Sequence, residues 1–428
     1  MRHFLLLQGP HGPFYAELSD KLRAAGHMAS RVAFNAGDCF EWGNRPDLSR
    51  YLGEQADFPA WLAQFITQHG VSDLVLYGDH RWMHRAAVAV SDAADVQTHF
   101  LEEGYLRPHW ITYERDGVNG GSRLMNLSIE RICALALKIP GRDRSAPDQW
   151  GAMARHLYHG LRYHRAVARG SDDWPAMPPA RGITLRKERR HALGALLDLP
   201  ARALRRRWAQ RRLDNSGAPY HVALLQLGHD ASVQAHSGYS DMTGFMEDVA
   251  KGFASGAPQH HHLVFKLHPF EDGRERLRGV ARRLEDDLSL TRRVHILEGE
   301  RLASLLDTAV SVVTVNSTAA QQALWRGLPV RASGRAIFAK PGLVSPQPMR
   351  DFFADPQLPD HDAYLAFRRV LLATSQIKGG FYTKLGRAAV LRRLVDMMLA
   401  QHGPYAILDR DLEATNAIIL PFRQGNDP

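Results

Sequence analysis

Asp230 closes the stretch His221–Ser232 (HVALLQLGHDAS), whose apolar first half has the pattern of a strand covered on both faces. Polar groups just past the carboxyl end of a strand in an open α/β sheet border the crevice where ligands bind. A carboxylate there, after Gln226 and a flexible Gly228, is well placed to face a cleft; the local alternative is an Asx-type turn in which Asp230 caps the next helix. Lys266-Leu267-His268-Pro269 ends a second strand. Side-chain alternation puts Lys266 and His268 on one face, where two donors can hold a phosphate, although a capped strand end accounts for the same residues. In Val315–Ala320 (VNSTAA) a strand runs straight into a helix. Asn316, Ser317 or Thr318 would cap that helix, and its first N–H groups suit an anion. The chain has neither GxGxxG nor a Walker loop, which argues against dinucleotides and ATP.

The first half offers a second set. Glu102, Glu103 and Arg107 lie in FLEEGYLRPHWITYE, and Asp79, His80, Arg81 and His84 lie in YGDHRWMH. Each is compatible with ordinary loop polarity, but together they line one sheet edge facing the second half. His260-His261-His262 cannot all face one ion from an extended chain and reads as a strand entry. No metal site is expected.

Elements that alternate strand and helix must position these groups. Strands are expected at His3–Gln8, Ser30–Asn35, Ser72–Tyr77 and Val96–Leu101, with helices at Phe14–Ala25, Phe58–His69 and about His84–Ala94. The pattern restarts at His221, with strands at His262–Leu267, Val294–Leu297, Val310–Val315 and Pro329–Ala332, and one or two helices over Asp362–Ala400. The expected fold is α/β and GT-B-like: two Rossmann-like domains facing a cleft, with helical middle and C-terminal segments. The expected division is an acceptor-side domain over 1–215, a nucleotide-sugar domain over 216–360, and helices over 361–428 that pack back on the first domain.

The chain has 428 residues, 45% hydrophobic and 23% charged, the balance of a water-soluble globular protein with room for two cores. No apolar run approaches the roughly 18–20 residues needed to cross a bilayer, and the start MRHFLLLQGP reads as a first strand, not a signal peptide. Cys39 and Cys133 give no disulfide framework. Between Arg181 and Arg212, 11 Lys or Arg stand against two acids, so this segment carries the whole net charge of +9. A general nucleic-acid-binding protein is not expected. With Leu204 and Trp208 among Arg205, Arg206, Arg207, Arg211 and Arg212, the segment suits an anionic membrane surface; a solvated linker is the alternative.

Eight motifs, in order, resemble the KpsS/LipB family of bacterial capsule synthesis proteins: QGPHGPFY, FNAGD, YGDHRWMH, FLEEGYLRPHWITYE with GVN, LLQLGHDAS, FKLHP, NSTAAQQALWRGLPV and QIKGGFYT. The resemblance covers nearly the whole chain. It implies a retaining β-Kdo transferase related to the KpsC enzymes, with no cofactor, that takes CMP-Kdo as donor and a lysophosphatidylglycerol-type lipid as acceptor. It implies a cytoplasmic protein peripheral to the inner membrane, working beside other capsule assembly proteins. Asp230 matches the family's catalytic aspartate, and Glu102 the acid/base. Gln226, Lys266, His268, Asn316, Ser317 and Thr318 would hold the CMP phosphate and ribose. Arg107, Asp79, Arg81 and His84 would meet Kdo or the acceptor. A transferase or epimerase using another nucleotide sugar, and a non-catalytic export or scaffold protein, are the rival readings.

Overall fold

The computed structural model describes residues 1–107, 109–115, 117–140, 153–170, 173–174, 199–227, 233, 237–269, 271, 273, 275–299 and 302–409. In the first half, short apolar runs become strands β1 (His3–Leu6), β2 (Met28–Ala33), β3 (Leu48–Arg50), β4 (Asp73–Tyr77), β5 (Gln97–Glu103) and β6 (Trp110–Arg115). Helices α1 (Phe14–Ala24), α2 (Ala36–Trp42), α3 (Phe58–His69) and α4 (Trp82–Ala94) alternate with them, followed by α5 (Arg123–Asn126), α6 (Ile129–Leu137) and α7 (Met153–Arg169). Local chemistry sets the ends: α3 has proline in its first turn and stops at Gly70, whose φ of 59° is the left-handed cap. α8 (Leu199–Asp214) leads into the second half, with β7 (Tyr220–Leu224), α9 (Met242–Gly256), β8 (His262–Lys266), α10 (Leu277–Asp287), β9 (Val294–Leu297), α11 (Leu302–Leu306), β10 (Ala309–Thr314), α12 (Gln321–Leu324), β11 (Val330–Ala332) and α13 (Met349–Ala354). The chain closes with α14 (His361–Thr374), β12 (Gln376–Lys378), α15 (Lys384–Leu399) and α16 (Pro404–Asp409).

Two sheets result, ordered β12-β6-β5-β4-β1-β2-β3 and β11-β10-β7-β8-β9. The second is parallel throughout. The first departs from the expected pattern: β6 runs antiparallel to β5, with Glu102 opposite Thr112, and β12 pairs antiparallel with β6. FLEEGYLRPHWITYE is therefore a hairpin, not a strand and a loop. Its turn needs a glycine, because a Cβ on Gly104 would lie 2.4 Å from the carbonyl oxygen of Trp110. The segment Asp362–Ala400 holds two helices, and β12 between them carries the chain back into the first sheet. A single apolar core runs from Leu5 and Leu74 through Tyr105 to Leu324 and Tyr364, with α14 contributing Tyr364, Phe367, Val370 and Leu371 between the halves.

The three adjacent histidines sit at the amino edge of the second sheet, as a strand entry. His261 Nδ1 lies 2.9 Å from His221 Nε2, and His262 Nδ1 lies 2.9 Å from His295 Nε2, so neighbours in sequence pair on opposite faces. Burial, with His261 and Arg293 adding to it, pushes His221 down to about 3; burial, with Arg212 and His262, pushes His295 down to about 3. Both stay neutral when folded and take up protons near 6.5 when unfolded. The unfolded chain binds more protons, so stability present above pH 6.5 is lost as pH falls towards 3. Urea midpoints measured at stepped pH are expected to fall through that window, and His221→Gln with His295→Gln is expected to flatten the slope.

Candidate functional site

Each sheet has one place where the chain order reverses, and such switch points open a crevice at the carboxyl ends of the strands. In the first sheet it lies between β1 and β4. Gln8, just past β1, accepts a 2.9 Å hydrogen bond from Arg81, just past β4, and its amide donates to Tyr163 at 2.9 Å. In the second sheet it lies between β7 and β10. There Gln226 and Asn316 join in two hydrogen bonds: Gln226 Nε2 donates to Asn316 Oδ1 at 2.9 Å, and the Asn316 amide donates to Gln226 Oε1 at 3.1 Å. Both side chains are buried, so this pair fixes the strand ends that floor the second crevice.

Glu102 and Glu103 end β5 and point to opposite faces. Gly78 follows β4 with φ 69°, and a Cβ there would lie 2.7 Å from Glu102 Oε2. The Glu102 carboxylate thus occupies the space the glycine leaves, with the Asn119 amide 3.5 Å away. Glu103 accepts from Tyr382 at 3.0 Å and from Tyr77 at 3.4 Å. Burial holds both phenols well above their usual range, so they remain donors. Glu103 ties the late FYT motif to β5, while Glu102 packs over Gly78 at the end of β4. Tyr15, also buried, is within electrostatic reach of Glu102, Arg31 and Arg81, and its hydroxyl has no hydrogen-bond partner among the described residues. Sequence reasoning missed Tyr15 and Asn119 as site neighbours, although QGPHGPFY and GVN contain them.

The two halves meet beside Glu102. Gln321 Nε2 donates at 2.8 Å to the carbonyl of Tyr105 in the β5–β6 turn, and the Tyr364 hydroxyl donates at 2.9 Å to the Gln321 carbonyl. The Leu106 amide donates to Gln376 at 3.2 Å. The EEGYLR turn and the NSTAAQQ turn are therefore one unit, 216 positions apart in sequence.

The other expected ligands lie at different depths. His84 is fully buried beneath the strand ends, and burial pushes its pKa far down, so its imidazole is neutral. Lys266 is buried at the end of β8, where its ammonium donates to the Leu267 carbonyl at 3.3 Å, and His268, two residues on, is half-buried. The helix after Asn316 is a single 3-10 turn, Thr318–Ala320, followed by the four-residue α12, and the Ser317 hydroxyl already accepts the Ala319 amide at 3.3 Å. Ser317 is therefore the cap expected at this strand–helix junction. Asp79 Oδ1 lies 3.0 Å from His80 Nε2, and Arg107 donates to the Gly104 carbonyl at 3.3 Å. Asp230 lies outside the described residues, as does most of the basic stretch before Leu199. Beyond β8 and β9, a cavity of about 250 Å³ is lined by Arg205, Leu267, Glu271, Arg276, Arg278 and Glu298. It places the start of α8 along the same carboxyl edge. Among the described residues no group of three or more His, Cys, Asp or Glu could hold a metal ion, and no helix is long and apolar enough to cross a membrane.

Two α/β sheets meet at their carboxyl edges, with the Glu102 carboxylate beside the end of β4 and the Gln226–Asn316 pair at the second sheet's switch point. The chain belongs to the capsule polysaccharide biosynthesis protein family, whose profile matches residues 72–382. It is 29% identical over 385 residues to the capsule polysaccharide export protein KpsS of Escherichia coli, covering 89% of this chain and 97% of that one. It is 28% identical over 393 residues to the capsule polysaccharide modification protein LipB of Neisseria meningitidis serogroup B, covering 90% of this chain and 92% of the relative. Among solved structures, Thermosulfurimonas dismutans KpsC, a beta Kdo 2,7 transferase, aligns with a TM-score of 0.42 at 12% identity, over 93% of this chain and 100% of that one.

Proposed function

We propose that this protein is a retaining β-Kdo transferase that moves Kdo from CMP-Kdo to a lysophosphatidylglycerol-type lipid and so starts the linker of a capsule polysaccharide. Membership of the capsule family supports the pathway, and the ordered motifs support the donor. The observation that carries the reading is the union of the two turns: the Tyr105–Gln321 bond holds the Glu102 hairpin against the turn leaving β10, beside Gln226 and Asn316. One edge then offers a carboxylate for the acceptor, and the other a crevice for a nucleotide.

In the proposed chemistry the Asp230 carboxylate attacks the anomeric carbon of Kdo, and the bond to the phosphate oxygen breaks, with CMP leaving with the electron pair. The acceptor hydroxyl then attacks the same carbon from the opposite side, gives its proton to Glu102 and displaces Asp230. Two inversions return the original configuration. Incubation of the purified protein with CMP-Kdo and a fluorescent lysophosphatidylglycerol, read by chromatography and mass spectrometry, tests the reading. A lipid carrying one Kdo is expected. Transfer from a UDP-sugar instead, or no glycolipid with any donor, overturns it.

A further inference from the structure

The helix α7 is not explained by the crevice it borders. Its inner face is fastened to the carboxyl edge of the first sheet. The Tyr163 hydroxyl accepts from Gln8 and from Asn35 at 2.8 Å, His159 lies 3.1 Å from the Tyr382 carbonyl, and a Cβ on Gly37 would strike the Tyr163 ring at 2.6 Å. Its outer face is apolar and cationic at once. Leu157 is 56% exposed, Tyr158 46% and Leu161 72%, and Phe40 of α2 lies alongside at 45%. The Arg162 guanidinium stands 4.9 Å from the Phe40 ring centre and 5.5 Å from that of Tyr158. Arg155, Arg165 and Arg169 are also exposed, and Met153–Arg169 contains no acid. Among the described residues none of these four arginines pairs with a carboxylate.

An exposed leucine pair flanked by unneutralised arginines is the composition of a helix that lies in a charged lipid interface, its apolar side chains in the acyl boundary and its guanidinium groups at the phosphates. The surface attracts negative charge. The chain that follows does not supply an excess of it, since residues 170–198 hold five Lys or Arg against four acids. We propose that the outer face of α7, with Phe40, docks the protein on an anionic bilayer. This rests on the lipid-acceptor reading above and gives it an orientation. The helix that meets the membrane is the one bolted to Gln8 and Asn35, so the crevice mouth opens at the lipid surface. A lysolipid then reaches Glu102 without leaving the interface entirely.

The proposal differs from the sequence expectation, which placed membrane contact on 181–212. Co-sedimentation of the full chain with vesicles of phosphatidylglycerol and phosphatidylcholine, and with phosphatidylcholine alone, decides between them. Binding to the anionic vesicles only, weakened by salt, is expected. The paired changes Leu157→Ser with Leu161→Ser, and Arg155→Gln with Arg162→Gln, are each expected to lower partitioning by about tenfold or more. Leu358→Ser with Leu385→Ser, at sites 78% and 85% exposed elsewhere, is expected to leave it unchanged. Transfer to a short-chain, water-soluble lysophospholipid is read in parallel and should be the same in all these variants. If wild type transfers to the soluble acceptor but the α7 variants sediment like wild type, or only Trp208→Ala in α8 releases the protein, docking by α7 is overturned and the transferase reading stands. If wild type fails to sediment with either vesicle, docking is overturned as well. Absence of transfer with every acceptor, while the α7 variants lose vesicle binding, overturns the transferase reading and leaves the docking face intact.

Discussion

Glu102→Gln is expected to slow transfer by about 10²–10⁴-fold while leaving the protein able to load itself with Kdo. The two carboxylates at the end of β5 are chemically alike, and their surroundings separate them. Glu103 is held by the hydroxyls of Tyr77 and Tyr382, both kept protonated by burial, so its charge is already used to fasten the C-terminal segment. Glu102 stands over the Cβ-less Gly78, near Asn119 and the phenol of Tyr15, which has no hydrogen-bond partner among the described residues. In a double displacement the first step needs only the nucleophile and the leaving group, so a protein without its acceptor base should stall as a glycosyl–aspartate adduct. Intact-mass measurement after mixing with CMP-Kdo, without acceptor, should therefore detect that adduct in Glu102→Gln and not in Asp230→Ala. Asp230→Ala should give neither adduct nor product. Glu103→Gln keeps an oxygen acceptor for the tyrosines and should lose far less activity than Glu102→Gln. Equal losses in the two Glu variants would remove the assignment to Glu102, and an active Asp230→Ala protein would remove the covalent route.

The strand ends that hold these residues were legible because buried strands announce themselves as apolar runs and stop at polar residues with glycine. That pattern alone places Gln226, Asn316 and Glu102 on sheet edges. Direction and partnership were not legible. Nothing local in Trp110–Arg115 distinguishes a strand that returns from a loop that leaves, and the glycine that makes the turn possible matters only through its approach to Trp110. β12 is three residues long and is defined by pairing with β6, more than 260 positions away. The burial of Lys266 and His84 was not legible for one reason: sequence reveals the residue type near a strand end but not the depth at which its head group lies. The Tyr105–Gln321 bond joins two motifs that each looked self-sufficient. A backbone carbonyl is its acceptor, so only the glutamine could have left a mark in the sequence.

Asp38→Ala is expected to cost about 3–5 kcal/mol of stability. Arg31 is 1% exposed, and its guanidinium donates at 3.0 Å to Asp38, with Glu41 a more distant 3.7 Å. Burial pushes Glu41 up to about 8, against the opposing pull of Arg31 and the Gly12 amide, so near neutral pH it is largely uncharged and Asp38 is the carboxylate that balances Arg31. Asp38 also accepts from the Phe34 amide at 2.9 Å, from Tyr163 at 3.2 Å and from Gln8 at 3.3 Å. Its loss leaves a buried cation short of its partner and frees both the switch-point glutamine and the inner face of α7. Urea unfolding of Asp38→Ala should show the drop, and residual activity should fall with it. Glu41→Gln supplies the opposite sign. The raised pKa means that the folded state holds a proton the unfolded chain gives up near 4.5, so wild type loses stability as pH climbs from there through about 8. A glutamine carries no such penalty, so the variant should match wild type below pH 4.5, gain on it steadily up to about pH 8, and hold a constant lead above that. Parallel unfolding curves for the two proteins at every pH would mean that Glu41 is ionised in the fold, and that Arg31 shares its charge between two carboxylates.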